Sequence, residues 1–264
     1  MDYFSLLFSF DALLKLGFGA LIGMCLGLTG VGGGVLIIPI LTVFFGMQTI
    51  MAVGTASIIS TLVKVNAGFA HIRAGNVAWR PLRWMLLGAV PMTLFTTTLI
   101  IYLVEHSTVG PMVSVAVEAA IIAVMLFALV SIYRKYRQAN QPSDAVSRSN
   151  STAVGAGMAC GSILGSTGVG GGVMLLPAFN SLLGVDIKKS VGSSVVMALV
   201  LSSLTALNYS RGGQSDMIAA IIMTAGAFIG VPIAVRLLKR FSDSQVYLLT
   251  LAIISVSLGL TLFS

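Results

Sequence analysis

The stretch GLTGVGGGVLIIP, Gly27 to Pro39, returns as GSTGVGGGVMLLP, Gly165 to Pro177. Glycine allows backbone dihedrals that other residues avoid and lets a neighbouring group approach the main chain closely. In water such a run reads as a loop. In hydrocarbon an unsatisfied backbone group is costly, so a glycine-rich break is tolerated only where it is buried in protein or lines a cavity. The surroundings of the two copies decide which case applies.

Those surroundings are apolar. Of 264 residues 57% are hydrophobic and 9% charged, against roughly 25% charged in soluble domains, and the mean hydropathy is +1.02. The runs Trp84 to Val104 and Val109 to Ile132 each reach the ~20 residues that cross ~30 Å of hydrocarbon as a helix. The chain reads as an integral helical membrane protein. Met1 to Ala12 has Asp2 and Asp11 but no basic start, so it reads as part of the first helix rather than a signal peptide. The net charge of +7 sits in short loops, the pattern of a membrane protein and not of a nucleic-acid surface. Cys25 and Cys160 lie in apolar segments and read as small buried hydrophobes.

The two motifs are offset by 138 residues. The same offset aligns Pro39 with Pro177, Gly46 with Gly184, Val53-Gly54 with Val191-Gly192, Arg73 with Arg211 and Gly88 with Gly226. The chain is an internal duplication, an arrangement common in transporters. Ten apolar segments follow: 13–29, 34–45, 53–70, 84–104 and 109–133 in the first half, and 153–164, 172–183, 191–209, 217–236 and 246–263 in the second. Residues 1–133 form the N-terminal repeat, the polar stretch 134–152 a linker, and 153–264 the C-terminal repeat.

Charge orients the segments. The linker carries Arg134, Lys135, Arg137 and Arg148, and the loop from His71 to Arg83 carries Arg73, Arg80 and Arg83; both are expected on the cytoplasmic side. Arg236, Lys239 and Arg240 make a third such cluster, which puts Arg211 to Asp216 outside although their repeat partners are inside. The halves are therefore expected to be inverted, with both termini outside, in the cytoplasmic (inner) membrane. The pieces flanking the second motif are only about a dozen residues long, ~18 Å as helix and about half the hydrocarbon. They read either as re-entrant half-helices with the glycines at the tip or as short tilted spans.

Each glycine run, Thr29, Gly30, Val31, Gly32, Gly33 and Gly34 in one copy and Thr167, Gly168, Val169, Gly170, Gly171 and Gly172 in the other, precedes a short helix. Free N–H groups and the positive dipole end at a helix start suit an anion. Two inverted copies would bring two such ends together on one small oxyanion. The alternative is that the glycines serve only tight helix packing. A second repeated element, VGTAS and VGSSV, contributes Thr55, Ser57, Ser193 and Ser194, as caps of their own helix or as hydroxyls for the ligand. No Lys-Ser/Thr follows the glycines, so this is not a nucleotide loop.

Ionisable residues inside the apolar segments are few: Lys64, with Asn66 beside it, and Glu118. Such residues are usually functional. Lys64 could hold an anion or pair with Glu118, and Glu118 could carry a coupling proton; a structural ion pair or snorkelling is the alternative. Lys15 is near enough to an end to snorkel, and His71 and Tyr209, at matching positions, read as interfacial. No catalytic constellation, cofactor motif or metal cluster stands out.

The paired motif G-x-T-G-V-G-G-G, repeated 138 residues on, resembles that of the sulfite exporter TauE/SafE family, also called the toluenesulfonate uptake permease family. The resemblance spans nearly the whole chain and implies secondary transport of small anions, sulfite, sulfoacetate and other organosulfonates among them, with export the common direction and import in some members. Carried over by position, the family motifs fall on Thr29 to Gly34, Thr167 to Gly172, Thr55, Ser57, Ser193 and Ser194, with Ser166 standing where the first copy has Leu28. The expectation is an all-α membrane protein of two inverted five-segment repeats, with eight spans plus two hairpins or with ten spans. It would export sulfite or organosulfonates with proton coupling and no enzymatic activity. A small carboxylate or sulfur-oxyanion importer and an anion channel are the alternatives. The partners are the anion, a proton or other coupling ion and the bilayer; a homodimer stays open.

Overall fold

A computed structural model of the protein describes residues 10–29, 34–106, 108–137, 149–169, 174–238, 240–241 and 243–262. Among them no strand occurs. The helices are α1 (Phe10–Thr29), α2 (Gly34–Val43), α3 (Thr49–Arg73), α4 (Trp79–His106), α5 (Gly110–Arg137), α6 (Asn150–Thr167), α7 (Leu175–Pro177), α8 (Ile187–Arg211), α9 (Met217–Leu238) and α10 (Asp243–Leu262), and a five-residue π-helix, Ala178–Leu182, continues α7. Helix is the expected answer, because it satisfies its own backbone groups without water. Seven of these helices, α1, α3, α4, α5, α8, α9 and α10, are long and apolar enough to cross a membrane. The protein is an all-α, multi-pass membrane protein.

Each apolar segment of the sequence became a helix, and most overrun it. α3 begins at Thr49 and ends at Arg73, where hydropathy marked 53–70. Backbone hydrogen bonding does not stop where side chains turn polar, so helices continue into the headgroup zone. For the same reason α5 continues through Arg134 to Arg137, and α6 begins at Asn150, inside the stretch read as linker. Residues 138–148 and 1–9 lie outside the described residues, so of the reading of Met1 to Ala12 only Phe10 to Ala12 is described, as helix.

Three helix pairs dominate the packing, each with one member from either half: α1 with α9, α4 with α6, and α3 with α8. Glycines at four-residue intervals build the first two. A Cβ on Gly19 would fall 2.2 Å from the Met223 carbonyl oxygen, and one on Gly23 2.4 Å from that of Ala227. In the other pair a Cβ on Gly157 would fall 2.1 Å from the Met85 carbonyl oxygen, and one on Gly161 2.4 Å from that of Ala89. Gly27 and Gly165 extend the two rows, and Gly226 and Gly88 answer from the facing helices. Lipid tails are as apolar as leucine, so helices in a bilayer gain little by hiding apolar side chains from it. Close backbone contact through small residues holds them together instead.

The same contacts give directions. Residue numbers rise together along α1 and α9 and along α4 and α6, so both pairs are parallel. α3 and α8 are antiparallel: Thr61 Oγ1 donates to Ser202 Oγ at 3.0 Å, Gly54 lies against Tyr209, and Gly192 lies against Asn76. The start of α3 therefore sits beside the end of α8 and the start of α9, and α1, parallel to α9, begins at that end too. The chain goes in along α1 and is brought back by α2 to the end where it entered. Likewise α6 begins beside the start of α4, and α7 with the π-helix returns the chain to the start of α8. The residues that join the two limbs of each glycine-rich piece, 30–33 and 170–173, lie outside the described residues. α1 is a full 20 residues, longer than a half-helix, while the return limbs are short.

Because the glycine rows face backbone, a leucine there must push helices apart. Gly23→Leu and Gly161→Leu are each expected to lower stability by about 1–3 kcal/mol or more. Gly17→Ala and Gly155→Ala, where a Cβ meets nothing within 4 Å, should match or exceed the wild type by about 0.5–1 kcal/mol. Thermal unfolding of the purified protein in detergent measures both.

Candidate functional site

The tip of the second hairpin is built by satisfying the carbonyls left over at the end of α6. Gly168 turns the chain with φ of 61°, a left-handed conformation that favours glycine, and its N–H donates to the Leu164 carbonyl at 2.9 Å. Thr167 Oγ1, fully buried, donates to the Ile163 carbonyl at 2.6 Å and accepts the Val169 N–H at 3.1 Å. The Gly165 carbonyl receives the Tyr209 hydroxyl of α8 at 3.1 Å. Tyr209 is thus no interfacial residue, as its loop-like position suggested, but a fully buried tie between α8 and the hairpin.

The two glycine motifs meet here. Gly34, the first residue of α2, lies so close to the second tip that a Cβ on it would fall 2.3 Å from the Gly168 carbonyl oxygen and 3.1 Å from Val169 Cα. A Cβ on Gly168 would lie 3.2 Å from Val53 Cγ1 and 3.3 Å from Ser57 Oγ. Gly34, Thr167, Gly168, Val169 and Ser57 are therefore brought together, with Thr29 ending α1 nearby in sequence. Gly30, Val31, Gly32 and Gly33, and Gly170, Gly171 and Gly172, lie outside the described residues. The helix starts that follow the two motifs are unlike. α2 is a regular ten-residue helix, whereas the second return limb has three α-helical residues and then the π-helix.

Thr55, Ser57, Ser193 and Ser194 do not cap their own helices. α3 and α8 start earlier than the apolar pattern indicated, with Gln48 and Asp186 at the caps, and Asp186 accepts the Lys188 N–H. Thr55 Oγ1 instead accepts the Asp216 N–H at 2.9 Å and donates to the Met51 carbonyl at 2.8 Å. Ser193 Oγ accepts the Ala78 N–H at 2.8 Å. Each hydroxyl holds the residue that leads into a helix of the other half, α9 or α4. The preceding glycines serve the same contact: a Cβ on Gly54 would fall 2.0 Å from the Gln214 carbonyl oxygen, and one on Gly192 1.8 Å from that of Asn76. The repeated V-G-[TS] element thus clamps the turn RAGN or RGGQ of the opposite half. Ser57 Oγ donates to the Val53 carbonyl and Ser194 Oγ to the Val191 carbonyl, both at 2.8 Å.

Lys64 is half-buried on α3 and donates to Ser60 Oγ one turn back. It makes no ion pair with Glu118, which is half-buried on α5. Among the described residues Lys15 pairs with Asp11 at 2.6 Å, and Glu105 lies beside His106 with Oε2 3.9 Å from Nδ1. Of the two possibilities for Lys64, an anion contact or a pair with Glu118, the pair is absent, and Lys64 has a short-range partner on its own helix. Asn66 is exposed, off the Ser57, Thr61 and Lys64 face. Lys15 also lies 5.7 Å from the Phe45 ring centroid.

With this architecture stands a family match: the model described as "Sulfite exporter TauE/SafE" matches residues 15–262. The chain belongs to the sulfite exporter TauE/SafE family. It is a membrane transporter by family, not an enzyme. It is 26% identical over 242 residues to the "Probable membrane transporter protein YjnA" of Bacillus subtilis, covering 90% of this chain and 95% of that one. It is 26% identical over 239 residues to a "Probable membrane transporter protein" of Xylella fastidiosa, covering 88% and 87%. It is 23% identical over 221 residues to the "Probable membrane transporter protein MJ0441" of Methanocaldococcus jannaschii, covering 82% and 77%. No solved structure matches it.

Two features of this TauE/SafE chain escaped sequence reasoning. The glycine rows on α1 and α6 are present in the sequence as a spacing of four, but small residues at that spacing do not by themselves name the helix they face. A polar cluster has no repeat partner at all: Asn208 Nδ2 donates to Thr97 Oγ1 at 2.6 Å and to Thr98 Oγ1 at 3.1 Å, and Thr93 Oγ1 donates to the Gly161 carbonyl at 3.1 Å. Its counterparts Ala70, Val235, Arg236 and Val231 share none of these roles by residue type, so an offset comparison passes over it. An amide near the end of an apolar segment was the available signal.

The clamps give a stability prediction. Thr55→Val and Ser193→Ala each leave an N–H without its acceptor and should cost about 1–3 kcal/mol. Thr55→Ser and Ser193→Thr should keep most of it. The clamps sit at opposite ends of α3, so the double variant should lose the sum, measured by thermal unfolding in detergent.

Proposed function

We propose that the protein is a secondary active transporter that exports a small anion, sulfite or an organosulfonate of the sulfoacetate kind, across the inner membrane with proton coupling. The observation that carries this reading is the contact of the two glycine-rich hairpins, Gly34 against Gly168–Val169, beside Ser57. A sulfonate spreads one charge over three oxygens. Main-chain N–H groups, helix dipole and hydroxyls suit such a head without a buried arginine. The contacts recur at the 138-residue offset: Thr55 with Asp216 matches Ser193 with Ala78, and Gly19 with Met223 matches Gly157 with Met85. Together with the antiparallel α3 and α8, this supports two inverted repeats that rock about a shared central site.

In this reading the end of α3 at Arg73 faces the cytoplasm. It carries Arg73, Arg80, Arg83, Arg134, Lys188, Lys189, Arg236 and Arg240, while the opposite end carries Lys15, already paired with Asp11, and Arg211. Basic residues gather on the cytoplasmic side, so both chain ends would lie outside. Ser57, Thr61 and Lys64 stand on one face of α3 and lead from the hairpin tips toward the basic end, a graded route for an anion. Glu118, which has no ion-pair partner among the described residues, carries the coupling proton.

Purified protein in proteoliposomes should take up labelled sulfite or sulfoacetate by counterflow and concentrate it under an imposed proton gradient. Large single-channel currents without counterflow would favour the channel instead, and preference for malonate would favour a carboxylate substrate. Gly34→Ala should reduce this flux by more than tenfold while the protein still elutes as a single folded species. Glu118→Gln should keep counterflow but lose the response to the proton gradient; unchanged gradient-driven flux makes Glu118 structural.

A further inference from the structure

α8 carries a hydroxyl with nothing to bond. Thr205 is fully buried, and its Oγ1 and Ser257 Oγ are the two buried side-chain oxygens among the described residues that lack a hydrogen bond. Its neighbours behave otherwise. Ser57 donates to the Val53 carbonyl, Thr61 to the Ser57 carbonyl, Ser202 to the Leu199 carbonyl at 3.3 Å, and Ser203 to the same carbonyl at 2.7 Å. A threonine inside a helix commonly turns its hydroxyl to the carbonyl one turn back. Thr205 does not, and leaving a buried hydroxyl unpaired is costly, more so in a protein surrounded by lipid. Valine has nearly the same shape without that cost.

The position of Thr205 says where a partner would sit. Ser202, Thr205 and Tyr209 share one face of α8 at intervals of three and four residues. That face is turned to α3: Ser202 Oγ accepts from Thr61, and Tyr209 Cβ would lie 2.9 Å from a Cβ on Gly54. Thr205 falls between these contacts, opposite Ser57 and Ile58. Ser57 borders the tip at Gly168, and Tyr209, the next turn along, ties that tip through the Gly165 carbonyl. By this register Thr205 is on the α3-facing side of α8, one turn from the Tyr209 that ties Gly165. Its repeat counterpart is Ala67, so the feature belongs to one half and not to the duplicated scaffold.

We propose that Thr205 is a substrate-binding residue whose hydroxyl donates a hydrogen bond to an oxygen of the transported anion. This rests on the anion-transport reading above. The anion supplies the acceptor that the protein withholds, so the cost of the bare hydroxyl is relieved on binding.

The test uses the full chain in detergent, with sulfite, sulfoacetate and malonate as probes, titrated by calorimetry alongside thermal unfolding without ligand. Thr205→Val is expected to weaken binding of the preferred probe by about 10–100-fold while its Tm stays level or rises, since a bare buried hydroxyl has been removed. Thr205→Ser should bind within about threefold of wild type. Wild-type affinity in Thr205→Val overturns the proposal and leaves anion transport standing. A lowered Tm in Thr205→Val with unchanged affinity of the folded fraction also overturns it, making the residue structural. A wild-type protein that binds none of the probes overturns the anion-transport reading and this proposal with it.

Discussion

A helix broken inside hydrocarbon leaves N–H and C=O groups that lipid cannot satisfy, and the rest of this structure is arranged around two such breaks. Thr167 and Gly168 answer part of the demand locally. Tyr209 answers another part from α8, and Gly34, which follows the other break, comes into contact with Gly168. Glycine is what makes this geometry accessible. At Gly34 there is no room for a Cβ, and at Gly168 the backbone takes a left-handed turn. Gly34 lies against Gly168 and Val169, and Gly168 against Val53 and Ser57, so the described flanks of the breaks are packed on the other half of the chain.

The halves are interlocked rather than merely adjacent. Helix pairs, clamps and hairpin tips all join one half to the other. The reciprocal contacts use small residues that let backbone meet backbone and hydroxyls that accept a backbone N–H, because in a bilayer packing and hydrogen bonding must replace the hydrophobic effect between helices. Departures from reciprocity are then informative. Asn208 with Thr97 and Thr98, the π-helix after Pro177, Lys64 at the counterpart of Ser202, and Thr205 at the counterpart of Ala67 depart from the repeat.

Much of the architecture was legible before the structure. Hydropathy marks ten segments and the offset pairs them, since both depend on composition over many residues. Boundaries were less legible: α3 runs on to Arg73 because helix bonding ignores the polarity at which a hydropathy segment ends. That shift changed the reading of Thr55 and Ser193, which became inter-half clamps instead of helix caps. Tyr209 was misjudged for a related reason. Near the end of an apolar segment it looked interfacial, but α8 is antiparallel to α3 and packed on the second hairpin, and this buries it.

By itself the sequence determined what the chain could not avoid: membrane insertion, helical segments, a duplication and two glycine-rich breaks in apolar surroundings, joined to the paired motif of the TauE/SafE family. These follow from properties each residue carries with it, its cost in lipid and its backbone freedom. Only the tertiary structure decided that Gly34 meets Gly168, which hydroxyls are spent on clamps and that those of Thr205 and Ser257 are left bare. Those outcomes depend on the direction of α3 against α8 and on contacts between residues more than a hundred positions apart. No local pattern encodes them.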